Sequence, residues 1–410
     1  MLRVLELFAG IGACSKALER LGIEHEIVDA VEIDKYAIAS FNAVHGTNFE
    51  PQDITKWDKD LQVDLIMHGS PCQDFSVAGK GAGGDEGSGT RSSLLYETLR
   101  IVEKLRPKYV IWENVKNLLS KKHVHNWNAY AKRMEEMGYT NYCQVLNAKD
   151  YGVPQNRERV FTVSIRETIL KATFLPSGKT IDRPEKFEFP APIPLARKLK
   201  DMLEPVVDEK YYLSEDRLNV IYKWEQRQKE NGRGFRFEVK DGDDIGRAVT
   251  TSGDRPCSTN YIIDPQGRKN KRCFAKTLSP TLRVQTHGNP PQVVEKIAIK
   301  TANKQGYDLA TDGDGIDLTY PDSTTRRGRV GHGVSKTIPS VCGTQGVVDG
   351  YRIRKLTPKE CWRLMGFDDA DFDKAAKVNS NTQLYKQAGN SIVVNVLEAI
   401  LGRLLDGSRD

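Results

Sequence analysis

An α/β fold is what the sequence predicts: a doubly wound, mostly parallel, Rossmann-like sheet with a second, smaller, mainly β domain. Three observations predict it. Short apolar runs alternate with helix-like stretches through residues 1–165. Those runs end in glycines or lone polar residues, as strands do where they open onto a crevice. Beyond residue 166 the alternation stops, and proline, threonine, valine and glycine take over.

Arg3–Phe8 (RVLELF) is the first strand, ending at Gly10 and Gly12, and Ser15–Leu21 is the helix after it. Glu26–Val31 is the second strand, closed by Glu32, with Tyr36–Val44 as its helix. Val63–Met67 is a third strand, followed by a glycine-rich loop, and Leu94–Leu105 is a helix stopped near Pro107. Tyr109–Trp112 is a strand ending at Glu113, Trp127–Met137 a helix with Gly138 as its C-cap, and Val160–Ile165 a late strand. Pro176, Pro184, Pro190, Pro192 and Pro194 then punctuate a connecting stretch, and Ser214 caps an amphipathic helix to Asn231. Residues 235–350 read as irregular β structure with long loops. Thr357-Pro358-Lys359-Glu360 is a capping box with proline at the first helical position, and Ser391–Leu405 is an apolar helix. The expected domains are 1–175, completed by 383–410, and 190–382, which includes 354–367.

The 410 residues are enough for two or three domains, and 39% hydrophobic with 28% charged is ordinary globular composition. No apolar run approaches the length of about 18 residues that a membrane span needs, and no secretory signal is expected. Seven cysteines, with no Cys-x-x-Cys pair, argue against a disulfide framework or a metal site and for a reducing cytoplasm. The net charge of +6 is unevenly placed: −2 over 1–165, +6 over 166–350 and +2 over 351–410. A basic middle region is compatible with a phosphate-rich partner and equally with a solvated surface.

Four places carry chemistry. Gly10 and Gly12 let backbone approach a ligand at a helix N-terminus, although residue 15 is Ser where a dinucleotide fingerprint has its third glycine. Glu32, at the end of the second strand, is placed to accept from both ribose hydroxyls, and Asp53 either accepts from an adenine amino group or caps the next segment. Cys72 lies between Pro71 and Gln73 at a strand end, a setting that suits a thiolate nucleophile better than a core thiol. Six glycines between 79 and 89 follow it and read as a flap bearing Lys80 and Arg91. Glu113 ends an apolar strand, where desolvation raises a carboxyl pKa and keeps it a donor to a ring nitrogen. Arg157 and Arg159 alternate onto one face, fit to hold a carboxylate, a carbonyl or a phosphate.

In order, FAGIG at 8–12, Glu32, GSPCQDFS at 69–76, ENV at 113–115, QNRER at 155–159, RKLTPKECWRLMGF at 354–367 and QAGNS at 387–391 resemble the DNA cytosine-5 methyltransferases of bacteria and phages. The resemblance covers 1–165 and 351–405, and 180–345 matches nothing that can be carried over, as expected of that family's variable target-recognition region. It implies the sheet of an S-adenosylmethionine-dependent methyltransferase and a cytosine flipped out of double-stranded DNA. It also implies that Cys72 attacks C6, Glu113 donates to N3, and Arg159 with Arg157 holds O2, Glu113 and nearby phosphate. Phe8, Gly10, Gly12, Glu32, Ile33, Asp53, Pro71, Asn390 and Ser391 are implied to bind S-adenosylmethionine, and no metal is implied. Ser76, Lys80, Arg91, Gln155, Arg255, Arg283, Arg326, Arg327 and Arg329 are expected to meet DNA. A monomer in the cytoplasm of a bacterial cell or phage-infected host is expected, with any cognate restriction endonuclease acting separately.

Four rival readings fit the residues less well. A tRNA cytosine methyltransferase would show Cys-Phe-Thr and a short insert, whereas this chain has nearly two hundred residues between QNRER and RKLTPKE. A nicotinamide oxidoreductase does not account for QNRER. A binding module without catalysis does not account for intact Cys72, Glu113, Arg157 and Arg159, and an amino-directed methyltransferase would carry a D/N-P-P-Y-type tetrad.

Overall fold

The computed structural model describes residues 1–71, 85, 87–166, 186–211, 230, 239–240, 245–249, 261–264, 297–300, 307–310, 315–317, 330–331, 345–347 and 352–406. They fall into two compact units. One comprises Met1–Glu204, Asp243–Thr259 and Thr357–Asp410, and the other Pro205–Gly242 and Asn260–Leu356.

The first unit is built on a six-stranded sheet. Its elements in chain order are β1 (Leu2–Leu7), α1 (Ala13–Arg20), β2 (His25–Val31), α2 (Lys35–His45), β3 (Leu65–His68), α3 (Leu95–Leu105), β4 (Tyr109–Val115), α4 (Val124–Glu136), β5 (Tyr139–Asn147), β6 (Gln155–Asn156) and β7 (Glu158–Arg166). The order across the sheet is β2-β1-β3-β4-β7-β5. β1 pairs with β2 and β3, and β3 with β4, all in parallel. β7 runs antiparallel to both β4 and β5. The sheet is thus parallel on one side and antiparallel on the other. The sequence does not announce β5, because Thr140, Asn141, Cys143 and Gln144 dilute its apolar pattern and its residues are mostly half-exposed. Central strands read as continuous apolar runs because both faces are covered: all four residues of β3 are buried. The core there gathers Leu5, Leu7, Ile66, Val110 and Trp112 from the strands with Leu99, Val102, Tyr130 and Met134 from α3 and α4.

Four helices return the chain to this unit: α5 (Pro358–Leu364), α6 (Asp369–Ala376), α7 (Asn381–Asn390) and α8 (Val394–Asp406). α8 packs on α1, α6 on α2, and α5 on α7. The sequence groups all of 354–367 with the second domain; the compact division falls instead between Leu356 and Thr357. The reason is burial and charge. Trp362 is fully buried and donates from Nε1 to Leu384 O at 3.0 Å. Buried Lys16 of α1 pairs with Asp371 at 3.0 Å and Asp368 at 3.2 Å. The capping box at Thr357 and Glu360 forms as expected, with Thr357 N donating to Glu360 at 2.8 Å and Glu360 N to Thr357 Oγ1 at 3.2 Å. The apolar C-terminal helix, expected from Ser391, begins at Val394, and residues 381–390 form the separate helix α7. The stretch Asn381–Leu405 has the length and hydropathy to cross a membrane, but 61% of that window is buried in the protein.

In the second unit, Val239–Lys240, Tyr261–Asp264 and Arg352–Lys355 form one sheet, Ile297–Lys300 pairs with Tyr307–Ala310, and Gly315–Asp317 pairs with Val330–Gly331 and Gln345–Val347. The helix expected over Ser214–Asn231 lies, but for Glu230, outside the described residues.

Candidate active site

Chemistry gathers at the carboxyl ends of β1 to β4. After β1 the backbone turns through left-handed conformations at Phe8 (φ 53), Gly10 (φ 57) and Gly12 (φ 79). Only glycine fits at Gly12: a Cβ there would lie 2.1 Å from His45 Nε2 and 2.9 Å from Phe41 Cε2. A Cβ on Gly10 would meet nothing, so that face of the turn is open. α1 has no side-chain N-cap of its own; Glu6, buried near the carboxyl end of β1, supplies one. Its carboxylate accepts from Ser15 N at 3.0 Å and from the Ser15 hydroxyl. Burial pushes Glu6 up to about 7.

Glu32 lies beside this turn. One carboxylate oxygen accepts from Gly10 N at 3.0 Å and the other from Asp34 N at 2.9 Å. Lone pairs remain on the carboxylate for a ligand donor. Burial raises its pKa. Ile33 next to it is a large apolar side chain left 70% exposed. Asp53 caps a short turn, Ile54–Lys56, accepting from Thr55 N at 3.0 Å and Thr55 Oγ1 at 2.8 Å.

β3 leads through Gly69 and Ser70 to Pro71. Ser70 is gripped from β4: Trp112 Nε1 donates to its Oγ at 2.9 Å, and Asn114 Nδ2 donates to its carbonyl at 3.2 Å. Trp112 and Asn114 flank Glu113 and, by strand alternation, use the opposite face of the sheet. Glu113 pairs in register with Phe161, and Val115 with Arg159. Glu113 and Arg159 therefore share a face as diagonal neighbours, and Arg159 Nε stands 3.0 Å from Glu113 Oε1. Burial raises the Glu113 pKa, and the charges of Arg159 and Arg157 oppose that rise. The result is a buried carboxyl whose proton affinity is set by burial against two cations.

The structure separates the two arginines. Arg157 is buried, and its guanidinium donates to the carbonyls of Val249 at 2.8 Å, Ser391 at 2.9 Å and Gly389 at 3.1 Å. Of the groups expected for it, a carboxylate, a carbonyl or a phosphate, it holds carbonyls, and they belong to the backbone. Gln155, expected to meet DNA, is fully buried: Nε2 donates to Leu364 O at 2.6 Å and Oε1 accepts from Val249 N at 3.0 Å. Alternation holds only within an unbroken strand, and the strand is interrupted at Arg157, between β6 and β7. Ser391 is buried and Asn390 exposed, at the end of α7 that Arg157 ties down. Arg91 is exposed at the head of the turn Arg91–Leu94. Cys72, Ser76, Lys80, Arg255, Arg283, Arg326, Arg327 and Arg329 lie outside the described residues. Sequence reasoning missed Glu6, Ser70, Trp112 and Asn114. The signal for them is chemical: a buried indole N–H needs an acceptor, and an acid inside a strand needs donors.

The family model for C-5 cytosine-specific DNA methylases matches residues 2–406. Among relatives, the orphan methyltransferase M.SPRI of Bacillus phage SPR is 35% identical, covering 98% of this chain and 97% of that protein. The type II methyltransferase M2.ScrFI of Lactococcus lactis subsp. cremoris is 30% identical, covering 98% and 99%. The crystal structure of the S. pombe Dnmt2 methyltransferase shares the fold with a TM-score of 0.57 at 18% identity, over all of both chains. Because the family match spans both the sheet that holds Glu113 and Arg159 and the helices that return to it, this chain belongs to the C-5 cytosine-specific DNA methylases.

Proposed function

We propose that this enzyme transfers a methyl group from S-adenosylmethionine to C5 of a cytosine flipped out of a specific double-stranded DNA sequence. The buried Glu113–Arg159 pair carries the reading. A cytosine ring inside a duplex exposes neither C5 nor C6 to a protein side chain, so the base must leave the stack. Cys72, as thiolate, adds to C6; Glu113 gives a proton to N3 as the ring gains electrons; Arg159 holds Glu113 and the O2 edge. Addition at C6 makes C5 a carbon nucleophile. Once C5 is methylated, loss of its proton restores the double bond and releases the Cys72 thiolate. Arg157 positions this set by tying Ser391 and Val249 in place.

The first unit's crevice fits the cofactor. The open face of Gly10, the remaining lone pairs of Glu32 and the exposed Ile33 match the glycine approach, ribose hydroxyls and apolar face that an adenosine moiety needs. Phe8, Gly10, Gly12, Glu32, Ile33, Asp53, Pro71, Asn390 and Ser391 would hold it. When bound, S-adenosylmethionine supplies an electrophilic methyl group on a sulfonium centre.

We assign target recognition to the unit formed by Pro205–Gly242 and Asn260–Leu356, together with Lys80, Arg91 and Arg255. We place the enzyme as a monomer in the cytoplasm of a bacterium or phage-infected host, with any restriction endonuclease a separate protein. Expression in a methylation-free host followed by bisulfite sequencing should reveal one methylated sequence; a folded, cofactor-bound chain that methylates no cytosine would falsify the reading. DNA containing 5-fluorocytosine should trap the wild type covalently and leave Cys72→Ser untrapped.

A further inference from the structure

Asp29 is a buried acid that the mechanism above does not use. It sits in β2 at 1% exposure, surrounded by donors. Oδ1 accepts from Ala30 N at 3.0 Å and Gln52 Nε2 at 2.8 Å; Oδ2 accepts from Trp57 Nε1 at 2.8 Å and Lys59 Nζ at 2.7 Å. Three of these donors come from one segment, 52–59, which also carries Asp53. The same segment is fastened elsewhere: Gln52 N donates to Glu32 O at 2.8 Å, and Arg100 Nη2 of α3 donates to Ile54 O at 3.1 Å and Trp57 O at 2.9 Å. Ile54 and Trp57 are buried. A carboxylate buried among four donors joins the strand that ends at Glu32 to the loop that carries Asp53.

We propose that Asp29 is a positioning residue for the cofactor: it fixes segment 52–59 so that Asp53 is presented beside Glu32 before the ligand arrives. This rests on the S-adenosylmethionine reading given above. The physical logic is preorganisation. A loop already held in its bound shape does not lose conformational freedom on binding. Only a carboxylate can do this here. In Asp29→Asn one oxygen becomes an NH2 group, which faces a pair of donors that both need an acceptor.

The test is calorimetric binding of S-adenosylmethionine to the full chain, alongside steady-state kinetics and thermal unfolding. Asp29→Asn should weaken cofactor affinity and raise its KM about tenfold, with kcat at saturating cofactor and DNA affinity within about twofold. Trp57→Phe removes one donor and keeps the buried ring, so it folds and should give a smaller shift of about threefold in the same direction. If Asp29 acts through Asp53, Asp29→Asn combined with Asp53→Ala should bind no more weakly than Asp53→Ala alone. Unchanged affinity in both Asp29→Asn and Trp57→Phe, with the wild type binding normally, overturns this proposal alone. So do equal losses in kcat, DNA affinity and cofactor affinity, which describe a general structural role, and additive effects of the two aspartate changes. A wild-type chain that takes up no S-adenosylmethionine overturns the cofactor reading, and this inference with it.

Discussion

The indole of Trp112 donates to the Ser70 hydroxyl at 2.9 Å, one residue before Glu113 on β4 and two residues before Cys72 along the chain. Strand β4 therefore fixes Ser70, where the Cys72 segment begins, from one face while it presents Glu113 on the other. Trp112→Phe keeps the ring buried and deletes the donor. It should cost about 1–2 kcal/mol of stability, read by urea unfolding. It should also slow single-turnover methyl transfer about tenfold, since a small displacement of a nucleophile slows its attack steeply. A slowed rate without the stability cost would mean that the bond is not made in solution.

The two arginines should separate in kinetics. Arg159→Lys replaces a group beside Glu113 and should lower kcat at least tenfold with cofactor affinity little changed. Arg157→Lys leaves the carbonyls of Val249, Gly389 and Ser391 short of donors, and should cost about 2–4 kcal/mol of stability and weaken cofactor binding. Matching profiles for the two variants would contradict the geometry.

Glycines 10 and 12 have positive φ, but only one is enclosed. Gly10→Ala should cost about 1–2 kcal/mol, the penalty of a left-handed alanine. Gly12→Ala adds a Cβ that collides with His45 and should be far more destabilising, with cofactor binding abolished. His45→Ala in the Gly12→Ala background should recover part of the stability, read as melting temperature.

Glu6 gives a pH dependence with a definite sign. Its carboxyl is raised from 4.5 to about 7 by burial, so the folded chain keeps a proton that the unfolded chain releases. The stabilisation is complete below the ordinary value and is lost as pH rises through about 7. It amounts to about 3 kcal/mol if the shift is fully expressed. Urea midpoints should therefore fall between pH 4.5 and about 8 in the wild type and fall less in Glu6→Gln. Glu113, raised in the same direction, leaves a residual slope.

Charge in the middle region should appear as salt dependence. Changing Arg326, Arg327 and Arg329 to Gln should flatten the plot of log Kobs against log salt by about 0.9 for each phosphate that an arginine no longer neutralises. An unchanged slope would assign that charge to plain surface.

The parallel half of the sheet was legible because central strands, buried on both faces, write themselves as apolar runs, and because Gly12, Glu32 and Glu113 punctuate their ends. β5 was not, since an edge strand whose residues are mostly half-exposed carries polar residues such as Asn141 and Gln144. The pairing of Glu113 with Arg159 was legible only through the family resemblance; the register of β4 against β7 puts the two on one face. The backbone partners of Arg157 and Gln155 were not legible, because hydrogen bonding to distant backbone, at Val249 and Leu364, has no local pattern. The division of the chain at Leu356 and Thr357 was hidden for a similar reason: Lys16 and Asp371 are 355 residues apart.

The first unit is assembled from stretches that the ribosome delivers far apart in time. α1 emerges early, yet α8, which covers it, comes from the far end of the chain. Until residues 394–406 leave the exit tunnel, the apolar side of α1 has no cover, and Arg157 lacks the carbonyls at Gly389 and Ser391. Such sequence-distant pairing slows folding and prolongs the exposure of sticky surface. A copy cut short before residue 389 therefore lacks both the cover of α1 and two of the three carbonyls that hold Arg157.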